Sequence, residues 1–476
     1  MERAGLRRRA APVSGLLPAG SAVSSDFKFT PDGATVVYRA PQDSLGVVEL
    51  YQVPIRGGVA TKLNGALAAG GDVFTFRLSP DGQRVVYIAD QRTDEIIELF
   101  SVPIGGGAAT VLNGSLVAGG DVLTEDFRLT GDGQRVVYCA DQQTDNVLEL
   151  YSVPIAGGGV TKLNGALVAG GNVDQFFFRI AANSQRVVYR ADQETNNRWE
   201  LFSVPILGGA VTKLNGVLVA DGDIDSYEIS ANSLRVVYTA DQQTVRELYS
   251  VSIAGGAVTK LNGVLVAGGN VGGKKISPDS QRVVYAADQQ TDSVYELFSV
   301  PILGGAITRL NDPLVAGGDV RSFKISDDSE WVVYLADQEL AGVPTGHRAP
   351  IAGPAGSAER IWYRANASGS SDYAIDTPRG RVIVRGNQTL VDGIVRLWSF
   401  PLTGTPDPGG GEELVPASAF DPDGDVEGFS LYPDGTILYH GDQTTDGHLE
   451  LYAVPAMVFW DGFESGDTTA WSSAVP

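Results

Sequence analysis

The chain has 476 residues, 43% hydrophobic and 19% charged, so it has ample apolar surface to bury, which excludes disorder over the whole length. Lys and Arg total 35 against 57 Asp and Glu, a net charge of −22; such a field repels phosphate backbones and anionic membranes and argues against nucleic-acid binding. No apolar run approaches the roughly 18 residues of a membrane-spanning helix, and the lone Cys139 rules out an intrachain disulfide or a cysteine-based metal site.

Residues 1–9 read as a positively charged extension with no apolar segment of signal-peptide type behind it. From residue 10 onward the chain is periodic. Arg-Val-Val-Tyr or a close variant ends at Tyr38, Tyr87, Tyr138, Tyr189, Tyr238, Tyr285, Tyr334, Val384 and Tyr439, nine copies spaced 47 to 55 residues apart. In the second copy, Phe76–Leu78 reads as a first strand closed by the turn Pro80-Asp81-Gly82. Arg84–Ala89, β-branched and aromatic, is a buried second strand, and Asp90–Glu95 a polar loop. Ile96–Ile104 alternates as a third strand with Pro103 near its end, and after Gly105–Gly107 a weaker fourth strand covers Ala109–Leu112.

Four short strands per copy with no helix between predict an all-β fold: a single closed β-propeller over residues 10–457, followed by a tail over 458–476. The last copy stops after Glu450–Pro455 without a fourth strand. The stretch from Ala10 to Val23 matches Ala60–Val73, so an N-terminal strand is expected to complete the last blade and remove the exposed edges. Nine blades are expected, with eight as the alternative, because Ala341–Glu359 reads as a Gly/Pro/Ala-rich insertion and Thr403–Gly411 as a Pro/Gly loop.

The unit "SPDGQRVVYIADQ…ELFSVP" resembles the TolB-like, WD-like propeller repeat of bacterial periplasmic proteins. The resemblance rests on Ser79-Pro80-Asp81-Gly82, Val85-Val86-Tyr87, Asp90 and Glu98-Leu99-Phe100, and covers about residues 25–455. One departure is the Gln that follows the Asp, where that family usually has a basic residue. The tail "VFWDGFESGDTTAWSS" from Val458 is similar to the ends of exported bacterial proteins. Together these imply a periplasmic or extracellular location.

Four residues past each anchor stands Gln: Gln42, Gln91, Gln142, Gln193, Gln242, Gln289, Gln338, Gln388 and Gln443. It is preceded by Asp90, Asp141, Asp192, Asp241, Asp288, Asp337 and Asp442 in seven copies. The inter-blade loop repeats Asp121, Asn172, Asp223, Asn270 and Asp319. One face should therefore carry an acidic, amide-rich ring. The bland reading gives these side chains to turns and blade backbone; the functional one makes them a surface for a cation, a polar polymer or a basic protein. In "FDPDGDVEGF", Asp421, Asp423, Asp425 and Glu427 alternate around Gly424, so several oxygens could converge on Ca²⁺, although the flanking pattern is not an EF-hand. A solvated acidic turn is the alternative.

Catalytic patterns are weak. "GFESG" at Gly462 misplaces its Ser for a nucleophile elbow, and His347, His440 and His448 form no zinc motif. The irregular seventh copy offers Trp331, His347, Arg348, Arg360 and Trp362 as residues breaking the repeat symmetry. The sequence favours a monomeric, non-catalytic binding scaffold of the bacterial envelope or exterior. The alternatives are a propeller enzyme of the polysaccharide lyase or lactonase type, with a metal and carboxylates at the channel mouth, and a purely structural surface protein.

Overall fold

The computed structural model describes residues 14–362, 372–386, 395–404, 411–415, 425–441 and 450–454. They form successive antiparallel sheets, with no α-helix among them. Each sheet is a meander in which a strand pairs only with its neighbours in sequence. Eight sheets have four strands, and the ninth, Val426–Leu431, Ile437–Gly441 and Glu450–Val454, has three. This is the blade architecture of a β-propeller. The chain divides into two compact units: residues 1–260, with sheets one to five, and 261–476, with sheets six to nine.

The second sheet shows how a copy folds. Its strands are Val73–Leu78, Arg84–Ala89, Glu98–Pro103 and Thr110–Val111. The first begins earlier than the sequence suggests, because a bulge between Val73 and Thr75 lets Val73 rejoin the ladder opposite Ala89. The third begins later, since the Ile97 amide donates to the Asp121 carboxylate and not to a neighbouring strand. The fourth shrinks to two residues, and Pro103 ends the third strand, where its missing N–H costs nothing. In the turn, the Asp81 carboxylate accepts from the Ser79 hydroxyl at 2.5 Å and the Gln83 amide at 3.0 Å, while Gly82 has φ +68°. Where later copies lack that Gly, Ser184 and Ser233 take the left-handed conformation. Their hydroxyls accept the Asp132 and Asn183 amides of the preceding sheet, at 3.2 and 3.0 Å.

Both faces of the second and third strands are buried, which explains why Val-Val-Tyr-Ile-Ala shows no polar alternation. Val86, Ile88 and Leu99 pack with Val122, Phe127 and Tyr138 of the third sheet, while Val85, Tyr87 and Phe100 pack back on Val37 and Leu50 of the first. The same alternation runs on through residues 137–253 in the first unit, and links sheets six to nine in the second. In every sheet but the eighth, whose anchor is Val384, the anchor Tyr stacks on a third-strand ring, as Tyr87 does on Phe100 with centroids 5.2 Å apart.

One expectation changes. Ala341–Glu359 is not an insertion: Thr345–Pro350 is a regular third strand paired with Trp331–Ala336, followed by Glu359–Trp362. No strand occurs in residues 14–27. The Gly15 amide donates to the Tyr38 hydroxyl at 3.2 Å, and Gly15 lies against Gln42 as Gly65 lies against Gln91, so this stretch is a loop of inter-blade type. Residues 10–13, expected to form its strand, lie outside the described residues, as do extension 1–9 and tail 458–476.

Candidate functional site

The repeated Asp side chains are occupied by backbone. Asp90 accepts the Asp72 amide at 2.6 Å and the Glu95 amide at 3.3 Å; Asp141 accepts those of Asp121 at 2.6 Å and Asn146 at 2.9 Å. Asp192 holds the Asn172 and Asn197 amides, and Asp288 those of Asn270 and Ser293. Glu95, Asn146, Asn197 and Ser293 are left-handed, so each carboxylate pins a strained loop residue. Asp337 grips the Gly342 amide and pairs with Arg321 at 2.8 Å. Asp241 is more open. Burial raises its pKa and Arg246 opposes this, with Asp225 and Asp223 raising it further.

The Gln side chains form a clip. Gln91 Oε1 accepts the Gly65 amide at 3.0 Å and the Tyr87 hydroxyl at 2.7 Å, tying the end of one sheet to the second strand of the next. Gln142, Gln193 and Gln289 repeat both bonds, with Gly114 and Tyr138, Gly165 and Tyr189, and Gly263 and Tyr285. Gln42, Gln242 and Gln338 accept from Tyr38, Tyr238 and Tyr334. Burial pushes the Tyr87 phenol well above its usual range, keeping it a donor. Gln388, Asp442 and Gln443 lie outside the described residues.

The acidic turn is only half described: Asp421 and Asp423 fall outside, while Asp425 and Glu427 do not. Asp425 Oδ1 accepts the Val395 amide at 2.5 Å, the bond that Asp121 makes to Ile97 and Asp223 to Trp199, and Glu427 is exposed on the ninth sheet's first strand. Asp425 is thus the inter-blade acid of the ninth copy, a role legible in Gly424-Asp425-Val426 beside Gly120-Asp121-Val122. Among the described residues no three His, Cys, Asp or Glu side chains gather as a metal set.

The irregular residues of the seventh copy compensate one another inside the sheet. In copies two to six a second-strand Arg bonds a third-strand Ser, as Arg84 does Ser101 at 2.8 Å. Here Trp331 and Arg348 exchange those roles, the guanidinium lying 5.0 Å from the indole and pairing with Glu359 at 2.6 Å. Trp362 is fully buried over Gly346, where a Cβ would lie 1.9 Å from the indole. His347 is buried against Tyr334, with Nε2 2.7 Å from the Thr345 hydroxyl and Nδ1 3.3 Å from Gln338. Burial, then the charge of Arg360, lowers its pKa to about 4. Arg360 itself pairs with Glu339. Glu49, Glu98, Glu149, Glu200, Glu247 and Glu296, of which only Glu98 enters the sequence pattern above, are buried at the start of the third strand and each paired with a Lys or Arg.

A second feature absent from the sequence reading is cationic. The next-to-last residue of the first strand is Lys28, Arg77, Arg128 and Arg179 in sheets one to four, each opposite the same second-strand Val; Glu228 ends the run in the fifth. In the second unit Lys275 and Lys324 hold this register. Each of the first four cations lies over the first-strand ring of the following sheet: Lys28 on Phe76 at 5.9 Å, Arg77 on Phe127 at 5.4 Å, Arg128 on Phe178 at 5.1 Å and Arg179 on Tyr227 at 5.8 Å. The rings fix the stems while the polar heads of Lys28, Arg77 and Arg179 remain exposed. Lys28, Arg77 and Arg128 line an open cavity of about 700 Å³ together with Phe29, Pro31 and Pro80. The signal is present in the sequence as the basic residue before Phe-Thr, Leu-Ser, Leu-Thr, Ile-Ala or Ile-Ser, but a net charge of −22 conceals it.

No family model and no curated protein matches the chain by sequence, while several solved structures are similar to it at low identity. The chain is similar to a eukaryotic initiation factor at 12% identity, covering 85% of this chain and 91% of that one, with a TM-score of 0.48. It is similar to an oligogalacturonate lyase in complex with manganese at 15% identity, 68% and 87% coverage and a TM-score of 0.34. With the putative TolB of Agrobacterium tumefaciens the values are 16% identity, 54% and 86% coverage and a TM-score of 0.30.

Proposed function

We propose that the protein is a non-catalytic binding scaffold, and that its ligand is a polar polymer bearing carboxylates, held by the cations of the first strands. The observation that carries this reading is the run Lys28, Arg77, Arg128 and Arg179 at one register on consecutive sheets, three of them lining one open cavity. Guanidinium groups match carboxylates in a planar, two-bonded geometry, and cations presented in series suit an extended partner better than a single small ion. The loop-face Asp and Gln oxygens already hold backbone amides, which leaves less of that face for a basic partner. The bacterial envelope or exterior remains the proposed location, on the repeat and tail resemblances. Ring closure also remains a proposal, supported by the inter-blade character of the loop around Gly15.

Fluorescence anisotropy with labelled oligoglutamate tests the reading, with oligoglutamine as the neutral control. Oligoglutamate should bind, and the Arg77→Glu/Arg128→Glu variant should weaken it at least tenfold while leaving the far-ultraviolet circular dichroism unchanged. A folded double variant that binds as tightly as the parent would sink the proposal.

A further inference from the structure

In seven sheets the first-strand residue paired opposite the second-strand anchor is aromatic: Phe76, Phe127, Phe178, Tyr227, Phe323, Tyr373 and Phe429. The sixth sheet has Lys274 there, opposite Tyr285, and Gly272-Gly273 immediately before it. Its second strand carries Ala286 where other sheets have Arg39, Ile88, Cys139, Arg190, Thr239 and Leu335. Bulk has thus been removed from both walls of one corner. A Cβ on Gly272 would lie 3.1 Å from the Tyr295 ring and 3.5 Å from the Ala286 carbonyl, which places the small residues together. The result is a cavity of about 430 Å³, bounded also by Lys275, Arg321 and Phe323, within the size range of small-molecule pockets.

The fourth sheet shows what such a corner accommodates. There Arg190 occupies the place of Ala286, its guanidinium 3.8 Å from Phe177 and 5.4 Å from Trp199, and it pairs with Asp174. Trp199 and Tyr295 are equivalent, each preceding a third-strand Glu and each donating its amide to an inter-blade Asp. A flat group stacked on the ring and held by an opposite charge therefore fills the corner in the fourth sheet. In the sixth, the flat group is gone, the ring remains, and the acid's position is Gly272. Lysines flank the opening, Lys274 buried at 8% exposure and Lys275 exposed, with Arg321 held by Asp337 beside them.

We propose that this vacated corner binds a small aromatic carboxylate, with its ring against Tyr295 and its carboxylate toward Lys275 and Arg321. The charge pattern is the inverse of the fourth sheet's internal Arg–Asp pair, and the aromatic neighbours are kept. This site is separate from the polymer-binding reading and stands or falls apart from it.

Calorimetric titration with benzoate is the test, with benzamide as the uncharged isostere. Benzoate should bind saturably, and benzamide at least tenfold more weakly. Ala286→Arg, which restores the fourth sheet's filler, should lower benzoate affinity at least tenfold. Ala286→Ile, which restores the second sheet's residue, should do the same and covers the case in which the Arg variant does not fold. Neither should alter oligoglutamate binding. No saturable benzoate signal, equal affinity for benzamide, or parental benzoate affinity in a folded Ala286 variant would each overturn the proposal.

Discussion

The most repeated side chains of this molecule are spent on its own backbone, and the clip around Gln91 shows the consequence. One amide oxygen serves two donors, the Gly65 N–H and the Tyr87 hydroxyl, and a Cβ on the glycine would lie 2.9 Å from Gln91 Nε2 and displace the clip's amide. Gln91→Leu leaves both donors without their acceptor and should cost about 2–3 kcal/mol, measured by urea unfolding; a loss under about 0.5 kcal/mol would show that water replaces the clip. The pattern Asp-Gln was legible because it recurs at one spacing, but its backbone partners were not, since Gly65 is 26 positions from Gln91 and only the stacking of sheets brings them together. His347 carries the residue-scale pH response. Its folded pKa, about 4, lies below the ordinary 6.5, so the unfolded chain takes up the proton first. The stability that the neutral imidazole contributes is full above pH 6.5 and is lost as pH falls toward 4. His347→Phe, the residue type of Phe100 and Phe202, should flatten that part of the stability–pH curve relative to the parent. Urea unfolding at pH 7, 5.5 and 4.5 checks this, and parallel curves would refute it.

At the scale of the element, what the sequence shows is periodicity, and what it hides is exchange. The second strand is legible in every copy because both its faces are buried and its residues vary little. The third strand of the seventh copy is not, because Thr-Gly-His-Arg-Ala-Pro keeps only the terminal proline of Glu-Leu-Phe-Ser-Val-Pro. Its identity appears only when the partners are seen: Trp331 with Arg348, Trp362 with Gly346. These pairs predict strong coupling. Gly346→Ala alone sets a methyl against a rigid buried indole and should destabilise by several kcal/mol. Trp362→Leu alone leaves a cavity and should cost about 3 kcal/mol. The double variant should lose clearly less than the sum of the two, because the leucine makes room for the methyl. A double-mutant cycle in urea measures the difference, and additive losses would show that the strand, not the pair, sets the packing.

For the whole molecule, net charge and local charge point in opposite directions. The excess of 57 acids over 35 bases repels itself throughout the chain, while Lys28, Arg77, Arg128 and Arg179 form a cationic line carried on aromatic rings. Composition alone spoke only for the first, and so pointed to cations or basic partners. The register of the first strands, which composition cannot express, points to anions. The two charge populations can be separated by one titration, because salt screens both. Raising NaCl from about 20 to 200 mM shortens the Debye length from roughly 20 to 7 Å, which relieves self-repulsion and should raise the melting temperature. The same change should weaken oligoglutamate binding, with a log–log slope that falls in Arg77→Glu/Arg128→Glu. If the cationic line were only a structural staple, salt would move the melting temperature and leave no oligoglutamate affinity to screen. If the acidic excess governed binding, labelled oligolysine would bind more tightly than oligoglutamate at every salt concentration, and the double variant would bind it more tightly still.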